Sequence, residues 1–375
     1  TFHAKFPGFE GFREGTPDAH RIRDVVRRHL TNCPDWHEIN LREHVLQVIA
    51  RMSSHVFLGN EGARNKAWLK ITMDYTTNAY IAAMLLRMWP ETLRPFVHWV
   101  LPQCRTLRKQ VVNARQIVTG IIDKRRQEKA TAETEGRSQP VYNDVIEWFA
   151  QDEKEDDSNY DPVVGQLILM QAAIHTTTDL LTQTMLDIAL NPDITDALRR
   201  EVAESVRQYG WSKSSLARMR LVDAAVKESQ RLKPIARTSM HRLVLDDVQL
   251  SDGTLLPKDA IIGVSVDQMW SDSHYENPAV WNPHRFYQIG EAGGSKDVSL
   301  TNSSPEHLAW GYGKHACAGR FFVAQEVKVA LSHLLLHYEW KIAPSSQKTQ
   351  PLEIGLTLAA DPMAKVLVRK VSRTH

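Results

Sequence analysis

Residues 310–320 read Trp-Gly-Tyr-Gly-Lys-His-Ala-Cys-Ala-Gly-Arg and place one cysteine, Cys317, in a glycine-rich loop. An apolar run with helical spacing follows from 321 to 336. Glycine lets a backbone turn tightly and approach a flat ligand closely. The amide groups of such a loop, and of the helix start behind it, stabilise a thiolate, which suits an axial ligand of haem iron. The alternative is a free cysteine buried in front of a helix.

The spacing of the glycines around Cys317 favours the haem ligand. Gly313, three residues, Cys317, one residue and Gly319 resemble the haem-binding loop of the cytochrome P-450 superfamily. That loop normally opens with Phe three residues before the first of these glycines, and here Trp310 takes its place. The resemblance implies that Cys317 binds the iron. The other loop residues that it places against the haem are Trp310, Gly311, Gly313 and Gly319.

His315 stands two residues before Cys317, where the family keeps a basic donor to a haem propionate. A rival role for His315 is ligation of the iron, and we reject it because Cys317 already fits the proximal pattern. After Pro234 the family supplies an arginine to a propionate, for which Arg242 is the candidate and Arg237 the alternative. We expect the loop 235–240 to touch substrate.

Residues 16–31 predict a basic helix with Pro17 in its first turn, and Arg23 and Arg27 share a face of it. A solvated basic face is the ordinary meaning of such a run. In the family, a helix here offers an arginine to a propionate, usually four residues after Trp. Arg27 matches that arginine, and Arg23 stands where the Trp would be.

Length and composition set the broad class of the protein. The 375 residues are enough for a large core, and Lys+Arg 46 against Asp+Glu 44 gives no argument for nucleic-acid binding. Cys33, Cys104 and Cys317 form no disulfide framework and fit a reducing compartment. No apolar run reaches bilayer length and no signal peptide is visible. Because the chain begins Thr-Phe-His-Ala without an initiator, we expect an upstream portion, with a membrane anchor, to be missing.

A long apolar segment, 162–190, predicts a helix with polar residues in its middle. Threonines there can bond back to their own helix, which is a purely structural interpretation. The segment also resembles the family's central helix, which passes over the haem. Ala172 and Ala173 fill the small positions, His175 stands where the family has an acid, and Thr176 matches the threonine. The resemblance implies that His175 and Thr176 deliver protons during O2 activation.

Glu228 and Arg231 lie three apart on a predicted helix and could be a weak surface ion pair. The family has a buried Glu-x-x-Arg here and an arginine further on, which Arg285 matches. We predict that the three form a buried charge network with a structural role, which fixes the loop that carries Cys317.

Other segments complete the predicted architecture. Amphipathic helices are expected from 35 to about 59, from 66 to about 89 and from about 93 to 126. Alternating residues predict a hairpin over 238–256 with its turn at 252–253, a strand over 261–266, and closing strands over 338–343 and 356–370.

Together the motifs resemble a cytochrome P-450, most similar to fungal members that oxidise secondary metabolites. The resemblance implies a mainly α fold with a small β-rich lobe. It implies one N-terminally incomplete catalytic domain over 1–375, haem b, and electrons from NADPH through a reductase. The basic residues Lys314, Arg320 and Lys328 would suit an acidic redox partner. By family analogy the protein sits on the cytoplasmic face of the endoplasmic reticulum membrane.

The expected reaction is hydroxylation or another oxidation of an apolar small molecule, such as a terpenoid, an alkaloid or a peptide-derived metabolite. Oxidative ring closure or C–C or C–N coupling without oxygen insertion is the alternative. A non-catalytic haem sensor is more remote, because a pure binder has no need of a proton path. The sequence leaves substrate, regiochemistry and oligomeric state open.

Overall fold

The structure, a computed structural model, describes Leu30 and residues 32–152, 161–293, 298–346 and 349–371. The first helices are α1 (Leu41–Arg64), α2 (Lys66–Arg87), α3 (Arg94–Val100), α4 (Pro102–Thr134) and α5 (Val145–Asp152). They are followed by α6 (Pro162–Leu190), α7 (Thr195–Tyr209), α8 (Lys213–Arg218), α9 (Arg220–Leu232), α10 (Arg285–Glu291) and α11 (Arg320–His337). The strands are β1 (His37–Asn40), β2 (Thr238–Leu243), β3 (Val248–Gln249), β4 (Leu255–Leu256), β5 (Ile261–Ser265), β6 (Tyr338–Ile342), β7 (Leu352–Ile354), β8 (Thr357–Ala359) and β9 (Lys365–Lys370).

The chain divides into two compact units, 45–178 and 1–44 with 179–375. In the helical unit 45–178, α2 packs against α4. Helix α2 begins behind Asn65, whose side-chain oxygen accepts the N–H of Trp68 at 3.0 Å, a regular N-cap. The Trp68 indole is fully buried and donates to Ser54 Oγ at 3.2 Å. Pro90 lies just beyond the end of α2, and it cannot continue the helix because proline has no backbone N–H to donate.

A buried ion pair holds α4 to the segment before α5 in the same unit. The Arg125 guanidinium donates to both oxygens of Asp144, at 2.9 and 2.6 Å, in a bidentate arrangement. Gly59, at a kink in α1, has φ +69. A Cβ on Gly59 would lie 2.6 Å from Asp144 Oδ2 and 2.8 Å from Arg125 Nη2. The kink therefore needs glycine for both its backbone conformation and the space.

The unit 1–44 with 179–375 combines helices with small antiparallel sheets. Strand β9 lies between β1 and β6, while β2 pairs with β5, β3 with β4 and β7 with β8. Helix α11 is buried along most of its length and packs against α7 and α9. The Trp340 indole of β6 donates to the Met185 carbonyl of α6 at 3.0 Å, which attaches the three-stranded sheet to the C-terminal half of that helix.

Two expectations from the sequence were wrong, one about the start of a helix and one about a hairpin. The helix expected from residue 35 begins only at Leu41, because His37–Asn40 pairs with β9. The segment 238–256 does not form one hairpin, because β2 pairs with β5, and the Asp252-Gly253 turn joins the short strands β3 and β4 instead. Within the described ranges, none of the helices combines the length and apolarity needed to cross a bilayer.

Candidate active site

The cysteine loop is shaped by two glycines and closed by backbone hydrogen bonds. Gly311 and Gly313 have φ of +70 and +71, a region that favours glycine. The Cys317 amide donates to the Trp310 carbonyl at 2.7 Å, and Ala316 donates to Gly313 at 3.1 Å. These bonds hold the loop as a compact turn directly before α11.

The thiol of Cys317 is exposed at this loop, and the surrounding residues fit a flat apolar group beside it. Gly313 is exposed, and a Cβ there would meet nothing within 4 Å. Gly319 carries no side chain next to the sulfur, where a Cβ would lie 3.9 Å from Sγ. Phe321, at the start of α11, is also exposed. The residues present therefore fit a haem with Cys317 as its protein ligand.

Trp310 anchors the start of the loop. Its indole is buried and donates to the Leu300 carbonyl at 2.6 Å. Arg320 fixes the other end by donating to the carbonyls of Thr301 at 3.0 Å and Cys317 at 2.8 Å. His315 lies in the short 3-10 turn Gly313–His315 and is exposed, so its imidazole is accessible to a ligand at the loop.

Three predicted network residues meet in one buried cluster. Arg231 donates through Nε and Nη2 to the two oxygens of Glu228, at 2.8 and 2.9 Å. Arg285 donates through Nε to Glu228 Oε1 at 3.0 Å, and the Asn282 amide donates to the same oxygen at 3.1 Å. Glu228 and Arg231 are 0% exposed and Arg285 is 7% exposed. The pair is therefore not the solvated surface pair that its spacing alone also allowed.

The free donors of these arginines bind backbone carbonyls of irregular segments. Arg231 donates to Met269 at 2.5 Å and to Pro278 at 2.8 Å. Arg285 donates to Glu276 at 2.6 Å. Guanidinium groups have enough donors to satisfy a carboxylate and several carbonyls at once. The cluster thus fixes the backbone between α9 and α10.

Helix α9 also holds the segment that leads into the cysteine loop, through residues that belong to none of the sequence motifs. Lys227 is buried and donates to the carbonyls of Ser299 at 2.8 Å and Asn302 at 3.2 Å. Asp223 accepts the Leu300 amide at 2.7 Å. Only the helical register of 221–232, which places Asp223, Lys227 and Arg231 four apart, could have indicated a shared face.

A buried histidine adds a further contact between α9 and this segment. His307 Nε2 lies 3.2 Å from the side-chain oxygen of Gln230. Burial, followed by the nearby charges of Lys227 and Arg231, lowers the pKa of His307 well below its usual value. His307 is therefore neutral near pH 7 and donates through Nε2.

A model described as "Cytochrome P450" matches residues 20–366. This chain belongs to the cytochrome P450 family. It is 41% identical to cytochrome P450 monooxygenase 1 of Gibberella fujikuroi, over 98% of this chain and 89% of that protein. It is 42% identical to the monooxygenase hepE of Aspergillus oryzae (98% and 72% covered) and 39% identical to TRI1 of Fusarium sporotrichioides (98% and 71%).

A solved structure described as "Retinoic acid bound cyanobacterial CYP120A1" matches with a TM-score of 0.69 at 17% identity, covering 94% of this chain and 74% of that one. It shows the fold and confirms the predicted fold class, a mainly helical P450 with small sheets. The curated relatives confirm the resemblance to fungal secondary-metabolite P450s and the enzyme class. This P450 is thus an oxidoreductase of the monooxygenase class. That residues 1–375 form one catalytic domain stays a prediction.

The two propionate candidates near β2 differ in their contacts. Arg237 forms an ion pair with Glu353 and stacks over the Trp270 ring at 5.3 Å. Arg242 is exposed, follows the irregular pairing of β2 with β5, and donates to the carbonyl of His241 at 2.7 Å. Glu353 balances the charge of Arg237, and which of the two arginines binds a propionate stays a prediction. Arg23 and Arg27 lie outside the described residues.

The expectation that Lys328 lies on the surface and faces a redox partner was wrong. Lys328 is buried and forms an ion pair with Asp223 at 2.8 Å, so it cannot dock a reductase. Its helical position made it look like a surface lysine, but α11 is buried on almost every side. Lys314 is exposed.

The polar middle of α6 begins within the unit 45–178. Thr176 Oγ1 donates to the Ala172 carbonyl at 2.7 Å, so its proton is used by the helix while its oxygen can still accept one. His175 Nε2 donates to the Met73 carbonyl of α2 at 2.9 Å, which fixes a proton on that nitrogen. Ala173 is buried and Ala172 is exposed. The roles of these residues in a P450 proton relay stay predictions.

Asp179, one helical turn after Thr176, belongs to the other unit. Its Oδ1 accepts the Ala360 amide at 2.5 Å, and its carboxyl is buried. Burial raises the pKa of Asp179 to about 6, although the Ala360 amide and the charges of Arg42 and Lys233 act in the opposite direction. No sequence motif assigns a role to Asp179, and nothing in the local pattern indicates a partner 181 residues away.

Proposed function

We propose that this P450 binds haem b through Cys317 and uses O2 to hydroxylate or otherwise oxidise an apolar small molecule of fungal secondary metabolism. The observation that carries the proposal is the exposed Cys317 thiol in a loop of two left-handed glycines, in a chain about 40% identical to monooxygenases. Terpenoids, alkaloids and peptide-derived metabolites are the proposed substrate classes, in line with the resemblance to fungal P450s that oxidise secondary metabolites.

A haem with a thiolate ligand supplies the chemistry of O2 activation when it is bound. Cys317 holds the iron as a thiolate, stabilised by the N-terminal amides of α11. His315 and Arg242 bind the propionates. Thr176 holds an ordered water with its hydroxyl oxygen, and His175 contributes a titratable group beside it.

The carbon-monoxide difference spectrum of the dithionite-reduced protein tests the haem site. The red-shifted Soret band of a thiolate-ligated haem is expected in the wild type and should be lost in Cys317→Ala. Cys104→Ala is the matched control, because Cys104 lies in α4, distant in sequence from the loop, and should leave the band unchanged. A band typical of histidine-ligated haem would overturn the proposal.

Product mass after turnover with NADPH and a reductase tests the reaction type. Insertion of one oxygen atom adds its mass to the substrate, whereas ring closure or coupling removes hydrogen without adding oxygen. Absence of any turnover in a protein with a normal thiolate spectrum would instead favour a haem sensor.

The proposal includes an NADPH-dependent reductase as electron donor and a location on the cytoplasmic face of the endoplasmic reticulum membrane. Exposed Lys314 in the cysteine loop supports docking of an acidic partner. Fluorescence microscopy of the tagged full-length protein tests the location, and reduction rates of Lys314→Glu at increasing salt test the docking.

A further inference from the structure

Asp179 joins the long helix α6 to the chain immediately after the β7–β8 hairpin. Its Oδ1 accepts the N–H of Ala360, which follows the last residue of β8, at 2.5 Å. Both residues are buried. A buried backbone N–H needs an acceptor, and the side chain of Asp179 supplies one here. One end of the hairpin is therefore fixed by a single side chain of α6.

The body of the hairpin is bonded to the loop predicted to touch substrate. The Leu358 amide donates to the Ile235 carbonyl at 2.8 Å, and the Arg237 amide donates to the Leu356 carbonyl at 2.8 Å. The Arg237–Glu353 ion pair reinforces this contact. The hairpin and residues 235–237 thus form one bonded group.

The same loop reaches the cysteine loop on its other side. Ser239 Oγ lies 3.7 Å from the position that a Cβ on Gly311 would take. Met240 and Trp270 pack against the buried cluster that contains Leu308, two residues before Trp310. A shift of the hairpin would therefore be transmitted to residues beside the proposed haem site.

The hairpin presents apolar side chains that its own sheet does not cover. Leu352, Ile354 and Leu356 are exposed, as is Ile235 next to them. Apolar side chains of this kind line sites for apolar small molecules. We propose that Asp179 is a positioning residue for substrate selection: through the Ala360 amide it fixes the hairpin and the apolar side chains that contact substrate. This inference rests on the proposed monooxygenase function.

Thr184, a second buried polar residue of this half of α6, forms a different kind of bond. The Thr184 hydroxyl, fully buried, donates to the Leu180 carbonyl of its own helix at 2.8 Å. An ionised carboxylate has no proton to donate and must receive one from elsewhere. The charged groups that act on Asp179 are Arg42, at the start of α1, and Lys233, at the end of α9, and the Lys233 ammonium is paired with Asp187.

Amide hydrogen exchange of the haem-loaded protein tests the bond itself. The Ala360 amide should be protected in the wild type, and an unprotected amide would overturn the proposal without any variant. In Asp179→Leu, exchange of Ala360 should rise about tenfold. Asp179→Asn keeps an acceptor oxygen of the same shape and should retain protection. Thr184→Val is the matched control, because it removes a buried polar group from α6 without touching the hairpin.

Spectral titration with two haem-binding probes tests the positioning role. Imidazole reaches the iron with little other contact, whereas 4-phenylimidazole adds an apolar ring that can contact apolar side chains beyond the iron. Asp179→Leu should change the Kd of 4-phenylimidazole about fivefold, while the Kd of imidazole stays within about twofold. Asp179→Asn should match the wild type. A purely structural role would change both values equally or neither, and either result would overturn the proposal.

The carbon-monoxide spectrum separates this inference from the function on which it rests. If the wild type shows no thiolate-ligated haem, the proposed function fails, and the claim about selection fails with it. The exchange data would still decide whether Asp179 holds Ala360. If the spectrum is normal and Asp179→Leu leaves exchange unchanged, only the positioning role is overturned.

Discussion

Replacement of Glu228 is the sharpest test of the buried charge network. The carboxylate accepts four hydrogen bonds from three residues, and two of those residues are arginines. Glu228→Ala leaves two guanidinium groups, 0% and 7% exposed, without their counter-charge. Removal of one partner from a buried ion pair costs about 3–5 kcal/mol. We therefore expect the free energy of unfolding to fall by about that amount.

The loss should also reach the haem site, because the helix that carries Glu228 and Arg231 also carries Lys227 and Asp223, which bind the segment before the cysteine loop. Urea unfolding followed by circular dichroism gives the stability, and the carbon-monoxide spectrum gives the haem content per protein. We expect Glu228→Ala to lose most of its haem. Glu228→Gln keeps the shape and one acceptor oxygen, so it should fall between Ala and the wild type.

Glu91 and Arg94 provide a matched control with the same spacing and order. They form an ion pair at 3.2 Å, but Glu91 is 86% and Arg94 34% exposed. Because exposed pairs contribute about 0–1 kcal/mol, Glu91→Ala should have little effect on stability or haem content. If Glu228→Ala loses no more stability than Glu91→Ala and keeps its haem, the network does not have the role assigned to it.

Three further changes test other parts of the structure. The Asp179 carboxyl group has a pKa of about 6 in the folded protein against an ordinary value of 3.8, so stability is lost as the pH rises from about 4 through 6. Asp179→Asn should therefore stabilise the protein at pH 7.5 by up to about 3 kcal/mol. The gain should vanish below about pH 4 in urea unfolding curves, and a gain that does not vary with pH would contradict the assignment. Gly59→Ala should cost more stability than Gly136→Ala. Both glycines have a similar positive φ, but only at Gly59 would the added Cβ clash, 2.6 Å from Asp144 Oδ2, whereas at Gly136 it meets nothing within 4 Å. Equal losses in thermal unfolding would show that backbone conformation alone matters. Thr176→Val should release hydrogen peroxide and yield about tenfold less product per NADPH, whereas Thr176→Ser should not; unchanged coupling would exclude a role for the hydroxyl.

Features that depend on residues close together in the sequence could be predicted. The motifs at Cys317, at 172–176 and at Glu228 and Arg231 could be interpreted because each is short and resembles a family pattern. Spacing alone also allowed a surface ion pair for Glu228 and Arg231. Features that depend on distant partners could not be predicted. Strand β1 has four residues and exists because it pairs with β9, more than 320 residues later. Lys328 looked like a surface charge because its partner, Asp223, lies 105 residues earlier.

The buried polar face of α9 explains how irregular segments of the chain, including the one before the cysteine loop, are held in place. Backbone carbonyls outside helices and sheets still need donors when they are buried. Here the donors are long cationic side chains of one rigid helix: Lys227 binds the carbonyls of Ser299 and Asn302, and Arg231 binds those of Met269 and Pro278. Each cation would be costly to bury alone, and Glu228 offsets that cost for Arg231. Helix α9 is therefore the template that positions the backbone on the way to the cysteine, although the spacing of Glu228 and Arg231 alone also allowed a surface ion pair.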